Sequence, residues 1–280
     1  MISNLLNRIY HIAQEAIFPP KCLVCDEFFQ TADQGHKRFA AGADGGLRPL
    51  AAEEQAQKSL ATCLCPRCFA GLIAVESPLC SCCGIPFAGR QGPDHFCGGC
   101  LASGNQFGIA RAALVYNEIV TEIIHTFKYR GKIQLAGPLG ELLLTAFRFF
   151  WDIEEIDIIL PVPLHPGRHR QRGFNQAYLL VRNWPCLTAR YGRDLPRFRI
   201  ERELLIRTRP TAPQSALGRD QRADNIKDAF DLTRADAVAG KNILLIDDVY
   251  TTGATVNECG RLLLDRGAQK VDVLTLARAI

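Results

Sequence analysis

Residues Ile243-Leu244-Leu245-Ile246-Asp247-Asp248-Val249-Tyr250-Thr251-Thr252-Gly253-Ala254-Thr255 constrain the fold more than any other stretch. A short, continuous apolar run follows Gly240-Lys241-Asn242, as expected of a strand buried on both faces of a parallel sheet. Two carboxylates close it, a loop of hydroxyls and one glycine comes next, and Val256 to Arg266 has helical period. In an open α/β sheet, ligands sit beyond the carboxyl ends of the strands, where Asp247 and Asp248 fall. Thr251 to Thr255 bring peptide N–H groups and hydroxyls to a helix N-terminus, which favours an anion. Gly253 lets the backbone approach it. Carboxylates suit sugar hydroxyls, or Mg²⁺ held with them. Vicinal hydroxyls on one side and a phosphate on the other describe a ribose 5-phosphate. The chain has no Gly-x-x-x-x-Gly-Lys-Ser/Thr, which disfavours a P-loop nucleotide site.

This segment resembles the PRPP-binding motif of type I phosphoribosyltransferases. The resemblance implies that Asp247 and Asp248 take the ribose 2′ and 3′ hydroxyls. It also implies that Thr251, Thr252, Gly253, Ala254 and Thr255 wrap the 5-phosphate.

The cysteines constrain the N-terminal part. Ten of the twelve lie between Cys22 and Cys100, and eight form Cys-x-x-Cys pairs: Cys22/Cys25, Cys65/Cys68, Cys80/Cys83 and Cys97/Cys100. Each pair points two thiolates at one tetrahedral metal, so eight ligands make two structural Cys₄ zinc sites. Four pairs combine in three ways, and spacing does not choose among them. Cys63 and Cys82 do not fit the ligand spacing and are expected as free thiols. A disulfide framework is disfavoured, because no signal peptide is expected and the spacing is regular. Residues 30–60 are rich in Ala, Gly and Gln and read as a flexible insertion, with a short helix over Ala51 to Leu60. Residues 1–20 carry Leu5, Leu6, Ile9, Ala13, Ala16 and Ile17 at helical spacing, interrupted by polar side chains, and read as an amphipathic helix. No apolar run is long enough to span a membrane.

From about Phe107 strands and helices alternate, as in a parallel α/β sheet. Strands are expected at Ala112–Tyr116, Ile156–Pro163, Glu203–Arg207, Ile243 onward and Val271–Leu276. Helices are expected over Ile119–Phe127, Leu135–Phe150, Gly173–Trp184 (stopped by Pro185) and Leu217–Ile226. The net charge is only +4, yet thirteen arginines and four acids lie between His165 and Arg222, with no lysine. Arginine offers a planar fork to phosphates. Within that stretch Arg168, Arg170 and Arg172 alternate with His169 and Gln171 in a segment with little reason to pack, which can close over a polyanion.

Several motifs occur in a fixed order: four Cys-x-x-Cys pairs, Lys128-Tyr129-Arg130-Gly131, Pro161-Val162-Pro163-Leu164-His165-Pro166, Arg172-Gly173-Phe174-Asn175-Gln176, Asn225 before a short Ala-Phe strand, and the Asp247 motif. Together they resemble the ComF family (the ComFC/GntX group). The resemblance implies a double zinc ribbon over residues 21–105 and a type I phosphoribosyltransferase-like parallel sheet, flanked by helices, over 106–280. It groups Cys22/Cys25 with Cys65/Cys68, and Cys80/Cys83 with Cys97/Cys100. It assigns Lys128, Tyr129, Arg130 and Gly131 to a pyrophosphate-gripping loop. It implies PRPP with Mg²⁺ as ligand, an unidentified acceptor, and a role in natural transformation (competence) or in use of external DNA as nutrient. Implied partners are single-stranded DNA, a DNA-import helicase and a second copy of the chain, in the cytoplasm. The acceptor pocket is expected between the sheet and residues 186–215. A second reading is a non-catalytic nucleic-acid-binding module that keeps the PRPP pocket. The chain departs from the pattern in its long Cys25–Cys65 insertion and at Thr211-Ala212-Pro213-Gln214-Ser215.

Overall fold

The computed structural model describes residues 19–30, 50–89, 91–102, 104–190, 198–211 and 224–280. Residues 1–18 of the amphipathic segment, the first part of the 30–60 insertion and most of the Leu217–Ile226 helix lie outside the described residues.

A five-stranded parallel sheet forms the centre, in the order β1 (Ala110–Val115), β7 (Lys270–Arg278), β6 (Asn242–Tyr250), β2 (Ile158–Pro161), β3 (Arg199–Ile200). The apolar run Ile243–Ile246 holds the middle of this sheet and is buried on both faces. That is why it reads as continuous rather than alternating. A separate antiparallel pair, β4 (Leu205–Arg207) and β5 (Phe230–Leu232), stands beside it.

The helices, in chain order, are α1 (Leu50–Ala61), α2 (Pro66–Ala70), α3 (Gly98–Ala102), α4 (Glu118–Tyr129), α5 (Ala136–Phe150), α6 (Pro166–Arg172), α7 (Gln176–Val181), α8 (Trp184–Arg190) and α9 (Ala254–Asp265). α4 starts where Asn117 accepts the Val120 N–H, and it buries Val120, Ile123, Ile124 and Phe127. α5 lies against α7 so closely that a Cβ on Gly140 would come within 2.4 Å of the Leu180 carbonyl. Trp184 fills the space behind this contact. It donates its indole N–H to Gly140 O at 3.0 Å and stacks on Phe147 at 5.2 Å. A fully buried tryptophan contributes about 3 kcal/mol or more.

Two expectations need correction. Pro185 does not stop a helix: the helix ends at Val181, and Pro185 sits in the first turn of α8. Proline lacks the N–H that a first turn leaves unpaired anyway, so it is tolerated there. The arginine segment is not an irregular loop either, because residues 166–172 are helical. Pro166 stands at the start, His165 Nδ1 accepts the Gly167 N–H, and Gly173 closes the helix with φ 82°.

Candidate functional site

Asp247 and Asp248 emerge at the carboxyl end of β6, just past its pairing with β2, which ends at Pro161↔Ile246. The strand pleat sends them to different surroundings. Asp248 is buried, and Lys128, in the last turn of α4, meets its Oδ2 at 2.5 Å. Burial alone would lower the Lys128 pKa, but the Asp248 charge outweighs it and the net shift is upward. Asp247 accepts the Asp248 N–H at 2.8 Å. Its own pKa is pushed up to about 7, first by burial and then by the Asp248 charge, against the pull of Lys128.

The chain then turns through Thr251 and Thr252 into Gly253, whose φ of 80° suits glycine, and α9 begins. A Cβ at Gly253 would collide with the Tyr250 hydroxyl at 2.3 Å. No side chain caps this helix at Gly253, so its N-terminus faces a cavity of about 220 Å³. Thr251, Gly253, Ala254 and Thr255 line it together with both acids and Lys128. Thr252 is not in that lining, and its Oγ1 instead accepts a long 3.5 Å bond from the Ala254 N–H.

A second cavity, of about 630 Å³, shares Lys128, Asp247, Asp248 and Thr255 with the first. Lys128, Tyr129, Gly131, Arg168 and Arg172 line it. The helical form of residues 166–172 explains which arginines arrive. Positions four apart share a face, and the one between them points elsewhere. Arg168 and Arg172 therefore face the cavity, while Arg170 is exposed and outside its lining. Arg172 lies over the Tyr129 ring at 5.0 Å and donates to Gln176 Oε1 at 2.6 Å. Arg130 also stays outside the lining, pairing with Glu122 at 2.8 Å.

One cation in this cavity was missed in the sequence reading. Arg207, on β4, is buried against the Phe230 ring at 5.5 Å, and its guanidinium donates to Thr211 Oγ1. Its Nε has no hydrogen-bond partner among the described residues. Burial lowers the Arg207 pKa, the neighbouring Arg168 charge lowers it further, and Asp247 opposes both. The signal was available: Arg207 is two residues from buried Leu205 and therefore on the same inward face of a strand. A third cavity, of about 730 Å³, shares Pro163, Leu164, Phe174 and Arg207 with the second and extends past Tyr178 and Leu205.

The eight paired cysteines form two groups: Cys22, Cys25, Cys65 and Cys68, and Cys80, Cys83, Cys97 and Cys100. Within each, all sulfurs lie within 4.8 Å of one another. Sulfurs about 2.3 Å from a tetrahedral zinc stand about 3.8 Å apart. Cys25 and Cys65 are 3.6 Å apart, and Cys83 and Cys97 are 3.7 Å apart. Burial pushes the Cys80 thiol up, but N–H groups of Cys97, Cys83 and Cys82 outweigh it and hold the pKa at about 6. Thiolate edges of this length, with donors aimed at sulfur, fit zinc and leave no open ligand position. Cys63 and Cys82 lie outside both groups.

Residues 207–280 match the family model described as "Phosphoribosyl transferase domain". With the parallel sheet, the acid pair at a strand end and the threonine loop, this defines a phosphoribosyltransferase-type fold. The chain is 34% identical over 211 residues to the DNA utilization protein YhgH of Escherichia coli, covering 73% of this chain and 86% of the relative. It is 30% identical over 229 residues to Competence protein F of Haemophilus influenzae, covering 77% and 96%. It is 31% identical over 170 residues to Competence protein ComFC of Bacillus subtilis, covering 60% and 64%. The chain belongs to the ComF family.

Proposed function

We propose that the site binds PRPP with Mg²⁺ and transfers its phosphoribosyl group, in a protein that serves uptake or use of external DNA. The observation that carries this reading is that two cavities meet at Asp247, Asp248 and Lys128, which line both. The smaller, at the N-terminus of α9, has the size and donors for a 5-phosphate. The larger gathers Lys128, Arg168, Arg172 and Arg207, a charge set for pyrophosphate. Between them the acids meet the ribose hydroxyls.

In this reading the bond from C1 to the pyrophosphate oxygen breaks, the electron pair leaves with pyrophosphate, and an acceptor closes on C1. Mg²⁺ would neutralise charge on the leaving group. Lys128, Arg168, Arg172 and Arg207 stabilise that charge from fixed positions. Tyr129 and Gly131 shape the wall. Arg130 and Arg170 contribute field rather than contact. The acceptor enters through the third cavity, past Phe174 and Tyr178. The zinc-ribbon part, residues 21–105, supports the phosphoribosyltransferase-like part, residues 106–280. Single-stranded DNA, a DNA-import helicase, a second copy of the chain and a cytoplasmic location belong to this proposal. It draws on relatives named for competence and DNA utilization. Among the described residues no helix is long and apolar enough to cross a membrane.

The exposed Arg170, Arg202 and Arg209 favour a second reading, a nucleic-acid-binding module that retains the pocket without turnover. Calorimetric titration with PRPP and Mg²⁺, followed by assay of pyrophosphate release with and without single-stranded DNA, separates the two. Binding and release that both vanish in Asp247→Ala/Asp248→Ala support transfer. Binding without release supports the module, and no binding refutes both uses of the pocket.

A further inference from the structure

We propose that the second cysteine group is part of the phosphate loop's framework, so that metal there and a phosphorylated sugar at the loop bind cooperatively. The inference rests on reading Cys80, Cys83, Cys97 and Cys100 as a metal site and Thr251–Thr255 as a phosphate cradle.

Arg278 makes the first link. It is the last residue of β7 and only 6% exposed. One edge of its guanidinium serves the cysteine group: Nε donates to Cys83 O at 3.1 Å, and Nη2 lies 3.6 Å from Cys83 Sγ. The other edge serves the loop: Nη1 donates to Tyr250 O at 3.2 Å and to Thr251 O at 2.9 Å. Its plane lies over the Tyr250 ring at 4.1 Å. In a trans peptide the carbonyl and the next N–H point in opposite directions. Holding the carbonyls of Tyr250 and Thr251 towards Arg278 therefore turns the N–H groups of Thr251 and Thr252 away from it. Arg278 is a positioning residue for the loop.

An independent link runs through two asparagines. Asn105 donates from Nδ2 to Cys100 Sγ at 3.3 Å and to Cys82 Sγ at 3.2 Å. Its Oδ1 accepts from Asn257 Nδ2 at 3.4 Å. Asn257 lies in the first turn of α9, and its Oδ1 accepts the Gln106 N–H at 2.9 Å. Nearby, a Cβ on Gly260 would fall 2.0 Å from Gln106 O, so helix and segment leave each other no slack. Loop and helix start are thus both tied to sulfurs or carbonyls of one cysteine group.

Among the described residues the first cysteine group has no such ties. Its side reaches the Lys128 loop through a 3.5 Å bond from Arg130 Nη1 to Val24 O and a 3.8 Å Lys132–Asp26 contact. These are long and partly exposed, and they touch no part of Thr251–Thr255. It serves as the internal control.

Coupling between two sites is reciprocal, so a ligand that gains affinity from bound metal must also slow metal loss. The experiment uses the full zinc-loaded chain, ribose 5-phosphate as probe, and a chelator with an alkylating agent. Mass spectrometry then follows alkylation of each cysteine peptide. Saturating ribose 5-phosphate is expected to slow alkylation of Cys80, Cys83, Cys97 and Cys100 by about 5-fold or more, leaving Cys22, Cys25, Cys65 and Cys68 unchanged. Arg278→Lys should abolish the difference while keeping two zinc ions per chain. Asn257→Ala carries the same test should Arg278→Lys not fold. Ribose 5-phosphate that binds in a separate titration yet protects neither group, or both equally, overturns the coupling and leaves the phosphate cradle standing. Failure to bind overturns cradle and coupling together.

Discussion

Lys128 Nζ lies 2.5 Å from Asp248 Oδ2, with only 19% and 7% of the two side chains exposed. The helix that delivers the cation and the strand that delivers the acid are thereby joined in the lining that both cavities share. Removing one member of a buried pair strands the other, at a cost of about 3 kcal/mol. Because Lys128 keeps some water, about 2 kcal/mol is expected here. Lys128→Ala should lower the midpoint of thermal unfolding, and Lys128→Ala/Asp248→Asn should recover much of the loss. Additive losses in this double-mutant cycle would show that the pair is not coupled.

Asp247 gives a pH dependence of defined sign. Its folded pKa, about 7, lies above the ordinary 3.8, so the folded state binds the proton more tightly than the unfolded chain. Its contribution is favourable below the unfolded value. It is then lost progressively as pH rises from about 4 to about 7. Asp247→Asn removes that ionisation cost. The gain in unfolding temperature over wild type should be larger at pH 8 than at pH 5, and an equal gain at both would refute the shift.

The helical form of residues 166–172 predicts unequal arginines. Arg168→Ala or Arg172→Ala should weaken PRPP binding about 10-fold, the effect of losing one charge-assisted contact. Arg170→Ala should leave it within about 2-fold, because exposed charges are screened. Calorimetry of the three variants decides. Equal losses in all three would mean that the segment acts through its summed charge.

Arg207 lines the same cavity, and its Nε is unpaired among the described residues. Arg207→Met keeps the packing against Phe230 and removes the charge. We expect at least a 10-fold loss in PRPP affinity and an unchanged unfolding temperature, or a slightly raised one. Unchanged affinity would assign Arg207 to the β4–β5 pair alone.

Elemental analysis should find about two zinc ions per chain. Cys22→Ser and Cys80→Ser should each lose one, and prolonged chelation should unfold the N-terminal part. A chain purified without chelator that contains no zinc would refute both sites.

The parts legible from sequence are those in which a local pattern does the physical work. Ile243–Ile246 is continuous because both faces are buried, and Asp247-Asp248 with Gly253 marks the strand end and turn. The cysteine spacing likewise announces two four-sulfur groups, though their pairing came from resemblance rather than spacing. Residues 166–172 misled because no apolar stripe marks them. Their helix is declared only at its ends, by His165-Pro166 and Gly173. Arg207 and Arg278 were missed for a different reason. Each sits on a strand whose neighbours are apolar, and partners such as Phe230 for Arg207 and Cys83 for Arg278 arrive from distant segments that one-dimensional patterning does not bring together.

The edge of the central sheet carries one more consequence. β1 is the last strand on its side, and its outer edge is not bare. Val75 donates to Ala113 O at 3.2 Å, Val115 to Ile73 O at 2.8 Å, and Ala110 to Cys82 O at 2.7 Å. The backbone between and beside the two cysteine groups therefore stops the sheet from growing. An exposed strand edge is a template for pairing with other molecules. Cutting the chain near residue 105 to isolate its C-terminal part would strip this cover, and the expected product is a self-associating fragment rather than a monomer.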